Sequence, residues 1–274
     1  LKKQLRNLKQ RRMISMNKQV VSIIQKDQLI RLMLKGERLD GRKPEETRNI
    51  FIETGVIDKA EGSARVEIGD TKIIAGVKIQ PGTPFPDSPD VGVIITSMEL
   101  IPLASPEFES GPPRENAIEL ARVTDRGVRE SGAIDLKKLC IKEGEQVWMV
   151  FIDIHVLDDC GNLMDAASLG AIAALLTAKI PGERYGIGED MPLPMRDIPV
   201  SVTAVDIGGG IVFDPSMEEE RVADCKLTVI SNQEGAIAGM QKSGNGSLTV
   251  DQINYIVDIS CKKAQEIREK FLEI

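Results

Sequence analysis

The stretch Val147 to Gly182, VWMVFIDIHVLDDCGNLMDAASLGAIAALLTAKIPG, constrains this chain more than any other. It opens as an apolar run, crosses a short loop rich in aspartate, and continues into a helix of small residues. A strand feeding a helix in this way belongs to a layered α/β arrangement. Such junctions often hold anions, because unpaired backbone N–H groups and the positive end of the helix dipole point at the loop. The loop's own side chains decide whether an anion is welcome there.

The loop runs Asp158-Asp159-Cys160-Gly161-Asn162-Leu163-Met164-Asp165. Asp165 is well placed as the N-cap of the helix, accepting its first free N–H groups, and its carboxylate then sits where a phosphate would otherwise bind. Leu163 and Met164 offer no hydrogen bond to an anion. By its chemistry this loop repels phosphate.

The 274 residues leave room for one large α/β domain or two smaller ones. A hydrophobic content of 42% and a charged content of 28% are ordinary for a globular protein and exclude wholesale disorder. No apolar run approaches the ~20 residues of a membrane helix, and the basic N-terminus lacks the apolar core of a signal peptide. A cytoplasmic protein with no membrane partner is expected. Cys140, Cys160, Cys225 and Cys261 are widely spaced, with a single histidine in the chain. Free thiols are therefore expected, not a zinc site or a disulfide framework. Residues 1–26 hold eight basic residues and no acidic one, which leaves −15 on the remainder. A body that acidic does not bind nucleic acid through its overall field, so any such contact must be local or shared with a more basic partner.

Residues 1–37 read as an N-terminal helical segment. Leu1 is not a methionine, and Met13 or Met16 would serve as a start, so part of the basic leader is expected to be an extension without a function. RLDGRKP (Arg38–Pro44) reads as a turn that stops this helix. Ser63–Ile68 and Thr71–Ile79 read as a hairpin around Gly69-Asp70, and Val93–Ile101 as a further strand. PGTPFPDSPD (Pro81–Asp90) reads as a stiff loop. His155 lies on an alternating strand beside Phe151 and Asp153 and is expected to be structural. A connector rich in Gly and Pro (Pro181–Pro194) separates a first subdomain, 38–185, from a second, 186–274. In the second, Gly208-Gly209-Gly210 lies between two apolar runs, which predicts a hairpin turn and not a nucleotide loop. Thr249 and Gln252 form a capping box for a last helix.

Glu115–Glu130 has helical periodicity, with Ala117, Leu120, Ala121, Val123 and Val128 on the buried side. Arg114, Arg122, Arg126 and Arg129 share an arc with Glu115, Glu119, Asp125 and Glu130. Spacing alone predicts a solvent face laced by Asp125–Arg129 and Arg126–Glu130 ion pairs. The acidic run Asp214, Glu218, Glu219, Glu220 and Asp224 suits either a divalent cation or a solvated loop.

RLDGRKPEETRNI, GSARVEIGDTKIIAGV, RENAIELARVTDRGVR, the central stretch and the C-terminal acidic segment occur in the order found in the ribonuclease PH family of phosphorolytic exoribonucleases. From about Arg38 onward the chain resembles that family, and within it the non-catalytic type found in archaeal exosome rings. The resemblance implies an α/β (α+β) fold of two βαβ-containing halves, with mixed sheets packed by helices. Catalytic members carry Gly-Gly-Thr/Ser-Arg-Thr-Ala in the central loop, where hydroxyl and arginine hold the attacking phosphate. The matching positions here are Gly161 to Ala166, so Leu163, Met164 and Asp165 form a degenerate phosphate site. The family's acidic pair falls on Glu218 and Asp224, with glutamate at the first position.

The resemblance therefore implies no catalytic residue, no bound metal and no cofactor in this chain. It implies a subunit that positions RNA for a catalytic paralogue in an alternating six-membered ring, with RNA-binding cap subunits and single-stranded RNA as further partners. Arg114, ahead of the helix and least committed to pairing along it, is the first expected RNA contact, and Arg122 the second. The alternative is a phosphate-dependent 3′–5′ exoribonuclease in its own right, which would need another cation near Asp165.

Overall fold

A computed structural model describes residues 26–33 and 35–272. Of the expected helical segment over 1–37, the described residues are 26–33, which are helical (α1), and 35–37, which leave the helix in a turn. The first half contains β1 (Ile50–Thr54), β2 (Gly62–Ile68), β3 (Thr71–Gly82), β4 (Val93–Leu100), α2 (Glu115–Glu130), β5 (Cys140–Lys142), β6 (Gln146–Asp158) and α3 (Leu163–Leu176). After β7 (Lys179–Ile180), α4 (Gly182–Tyr185) and β8 (Met191–Pro192), the second half follows. It contains β9 (Val200–Ile207), β10 (Gly210–Phe213), α5 (Met217–Val222), β11 (Cys225–Ser231), β12 (Ile237–Ser243) and α6 (Val250–Ile267).

The first sheet has the order β1-β2-β3-β6-β4, with β5 also on β6. It is mixed: β3 and β6 are antiparallel, whereas β4 and β6 are parallel neighbours joined through α2, a βαβ unit. The second sheet has the order β10-β9-β11-β12, and each neighbouring pair is antiparallel. Here β10 and β11 run parallel to each other on either side of β9, with α5 between them in sequence. The second βαβ unit is therefore split, and the mixed character expected of both sheets is confined to the first.

β6 alternates as its sequence predicts, with Val150, Ile152, Ile154 and Val156 buried and Phe151, Asp153 and His155 on the more open face. β3 runs through Pro81 to Gly82, two residues into the segment read as loop. The strand tolerates proline there because its pairing with β2 ends at Val77, leaving the N–H side of Pro81 without a ladder to serve. Gly208 and Gly209 form the two-residue turn of the β9–β10 hairpin, both at positive φ (61° and 92°), as a primed turn requires.

α3 is apolar all round and is buried from Leu163 to Leu175, packed against β2 and β3 on one side and β9 on the other. Its small residues permit close approach. A Cβ on Gly170 would fall 2.2 Å from Ile73 Cδ1, and one on the facing Gly62 would fall 2.3 Å from the Ala174 carbonyl oxygen. A single apolar core runs through both sheets with α3 at its centre. The start of α3, where the sequence locates the site, is therefore held by both halves.

Candidate functional site

α3 begins earlier than its sequence suggested. Asn162, at φ 58° and ψ 42°, is the N-cap, and Asp165 is already inside the first turn. The expected Asp165 cap is thus corrected. Gly161 and Asn162 both adopt left-handed conformations, which glycine and asparagine tolerate better than other residues, so the chain turns into the helix there. A Cβ at Gly161 would meet the backbone nitrogen of Met217 at 2.5 Å, so α5 lies directly against this turn.

Asp165 instead bolts α3 to the second sheet. Its carboxylate accepts from the Thr203 backbone N–H (2.9 Å), the Thr203 hydroxyl (2.7 Å) and Asn162 Nδ2 (2.8 Å). Burial dominates its environment and, with Asp214 close by, pushes its pKa up to about 7 against the three hydrogen bonds. The Asn162 amide also donates to Asp214 Oδ1 (2.8 Å), bridging two carboxylates.

Asp214 is the second hub. Although burial opposes ionisation, Arg48 holds its pKa below the usual carboxylate range through Nε (2.9 Å), Nη2 (2.7 Å) and its backbone N–H (2.8 Å). Arg42 adds a further contact at 2.9 Å. Arg48 continues to the Cys160 and Gly161 carbonyls (3.0 and 3.1 Å), and the Thr71 hydroxyl donates to Gly161 O (2.7 Å). The arginine nearest the loop is therefore spent on Asp214 and on backbone carbonyls, and is not turned toward an anion.

On the outer side of the junction, Leu163 and Met164 line a cleft of about 310 Å³ with Asp159, Glu107, Glu119 and Glu220. Its two cations are paired, Arg221 with Glu107 (3.1 Å) and Lys226 with Glu220 (3.2 Å). Burial, and then Glu220 and Glu107, raise the Asp159 pKa, against the Gly161 N–H and Arg221. Met164 also packs in an apolar cluster with Val123 and Ile230. A phosphate about 5 Å from each surplus carboxylate would be opposed by on the order of 3 kcal/mol per charge pair at an effective dielectric of ~20.

The acidic run is dispersed among separate partners. Asp214 faces Arg42 and Arg48, Glu219 faces Arg38, Glu220 faces Lys226, and Asp224 faces Lys26 of α1 and the Gly208 N–H. Glu218 is exposed beside Arg42, Arg48 and Cys160, in a cleft that Asp224 does not line. Glu218 and Asp224 thus have different neighbours. Among the described residues, no group of three or more His, Cys, Asp or Glu side chains is arranged to hold a metal ion.

α2 has the predicted bounds, with Ala117, Ala121, Val123 and Val128 buried and Leu120 half-buried. Arg114 makes no pair along the helix, but it pairs with Glu109 across the preceding loop. Asp125–Arg129 forms at 3.0 Å as expected. The expected Arg126–Glu130 pair does not, and among the described residues neither Arg122 nor Arg126 makes a hydrogen bond or ion pair. These two exposed guanidinium groups lie one turn apart on the same face, about 5–6 Å between Cβ atoms.

RLDGRKP turns the chain as expected, and its arginines do more than a turn requires. Arg38 and Arg42 reach from it to Glu219 and Asp214 and tie the segment to the second half. Arginines in a turn motif gave no sign of partners roughly 170 to 180 residues away. The left-handed Gly-Asn pair was the available signal for the true start of α3.

Residues 46–181 match the model of the 3′ exoribonuclease family, domain 1, and residues 197–263 match domain 2 of the same family. The chain is 66% identical over 255 residues to exosome complex component Rrp42 of Methanocella arvoryzae, covering 93% of this chain and 98% of that protein. It is 53% identical to the protein of that name from Archaeoglobus fulgidus, covering 92% and 97%. Among solved structures, it superposes on a chain of the Archaeoglobus fulgidus exosome with RNA bound to the active site. The TM-score is 0.89 at 52% identity, over 92% of this chain and 99% of that one. An archaeal exosome core gives a TM-score of 0.85 at 49% identity, over 93% and 98%. Two family domains in order, and close relatives along nearly its whole length, make this chain a member of the ribonuclease PH-type 3′ exoribonuclease family.

Proposed function

We propose that this chain is a structural and RNA-positioning subunit of an exoribonuclease ring of the archaeal exosome kind, inactive by itself. The observation that carries the reading is the cleft around Leu163 and Met164. Where catalytic relatives need a cationic phosphate cradle, this chain has four carboxylates and two cations that are already paired. Phosphorolysis requires the attacking phosphate to be held in line with the 3′ end, and uncompensated negative charge opposes that placement.

In this reading a catalytic ribonuclease PH-type paralogue alternates with the chain in a hexameric ring, with RNA-binding cap subunits above it and single-stranded RNA passing through. The chain's two subdomains meet near residue 186, and the ring works in the cytoplasm. Among the described residues, no helix is long and apolar enough to cross a membrane.

The RNA contacts fall to α2. Arg122 comes first and Arg126 joins it, because both are exposed and unpaired. Arg114 follows them, since Glu109 must be displaced before it can meet a phosphate. In the assembled ring, Arg122→Gln or Arg126→Gln is expected to weaken binding of a fluorescein-labelled single-stranded RNA about tenfold at low salt. The slope of log K against log salt should also become shallower by about 0.7 for each lost contact. Fluorescence anisotropy across a salt series measures both. Unchanged affinity and slope in both variants would remove α2 from the RNA path.

A further inference from the structure

We infer that Arg129, Thr96 and Gln241 are positioning residues that keep Arg122 unpaired by drawing off the two carboxylates within its helical reach. The inference rests on the reading that Arg122 meets an RNA phosphate.

On a helix the neighbours of Arg122 lie three and four positions away: Ile118, Glu119, Asp125 and Arg126. Two of these are carboxylates, and either one would neutralise the guanidinium. Neither does, and each has a partner on another element. Asp125 Oδ1 accepts from the Thr96 hydroxyl of β4 at 3.2 Å, and its Oδ2 accepts from Arg129 Nε (3.1 Å) and Nη2 (3.0 Å). The same Arg129 Nη2 donates to the Ile94 carbonyl of β4 at 3.0 Å, which fixes the guanidinium at the helix–sheet seam. Glu119 accepts from Gln241 Nε2 of β12 at 3.3 Å. β4 and β12 belong to different sheets, so each half of the fold removes one competitor of Arg122. An arginine suits position 129, since its planar fork engages a carboxylate and a carbonyl together, which a lysine ammonium does not reproduce.

The consequence is that Arg129 acts on RNA binding without touching RNA. A double-mutant cycle isolates this effect. In the assembled ring, Arg129→Met should release Asp125 to pair with Arg122 and lower affinity for labelled single-stranded RNA about threefold at low salt. In an Asp125→Asn background, with no carboxylate to release, the same substitution should leave affinity unchanged. Gln241→Leu, which frees Glu119 from the other side, should give a smaller loss that Glu119→Gln abolishes. Ring assembly by size exclusion and helicity by circular dichroism confirm that each variant is intact.

Equal losses from Arg129→Met in both backgrounds would show that its charge acts directly, and would overturn the inference while leaving the Arg122 contact standing. If Arg122→Gln itself has no effect on binding, the RNA contact fails and this inference falls with it.

Discussion

Arg38→Met is expected to destabilise the fold by about 3–5 kcal/mol, a large part of the roughly 5–15 kcal/mol that holds a typical domain together. Arg38 is 3% exposed and every N–H of its guanidinium is used. Nε donates to Glu219 Oε1 (2.8 Å), Nη1 to the Phe213 and Glu46 carbonyls (2.8 and 3.1 Å), and Nη2 to the Asp214 carbonyl (3.0 Å) and Glu219 Oε2. Methionine fills much of the volume but leaves a buried carboxylate without its cation and the Phe213 and Asp214 carbonyls without their donor, while the Glu46 carbonyl keeps Arg42 Nη1 (3.1 Å). Glu219 also closes the capping box of α5 by accepting from the Ser216 N–H, so the damage reaches that helix. Urea unfolding should show a lower midpoint with an unchanged slope. Arg38→Met with Glu219→Met should recover part of the loss, because the stranded charge is gone. A loss below about 1 kcal/mol for the single variant would contradict this account of the site.

The second large effect concerns Asp165 and pH. Its folded pKa is raised to about 7 by burial, whereas the unfolded chain ionises near the ordinary 3.8. The folded state therefore holds the proton more tightly. The stability that this supplies is fully present below about pH 3.8 and is lost as the pH rises through about 7. Asp214 has the opposite sign: Arg48 holds its pKa down, so its contribution is present above the ordinary carboxylate range and is lost on acidification. Asp165→Asn supplies the neutral form permanently. Its amide nitrogen would donate to the Thr203 hydroxyl, which is free to donate in turn to the Thr228 hydroxyl 2.8 Å away. The variant is expected to gain on the order of several degrees in Tm relative to the parent at pH 8, with the gap narrowing toward pH 5 and closing only near and below about pH 3.8. Thermal unfolding followed across that range checks it. A difference that does not grow between pH 5 and pH 8 would mean that Asp165 is ionised throughout.

Local signals carried much of the architecture. Alternation located β2, β3 and β6, the 100° periodicity located α2, and the glycine hairpin and the Thr249–Gln252 capping box were legible as written. What failed depended on partners distant in sequence. Asp165 has the residue type of an N-cap, but its hydrogen-bond partner is Thr203 on another sheet, which no local rule supplies. Arg114 appeared free because the helix gave it no mate, and Glu109 lies in a loop outside the helical register. Glu218 and Asp224 are six residues apart in sequence, yet α5 turns them toward different neighbours. That Leu163 and Met164 offer no hydrogen-bonding side chain to an anion is legible because it depends on residue type alone. The carboxylates completing that cleft come from 107, 119, 159 and 220, and only the fold brings them together.

The central claim is that this chain positions RNA and does not cut it. The most direct measurement incubates the purified chain with single-stranded RNA, inorganic phosphate and magnesium, and resolves the products for nucleoside diphosphates, alone and after addition of its catalytic paralogue. The account predicts no release from the chain alone and sustained release from the ring. Robust release of nucleoside diphosphates by the chain alone would contradict it.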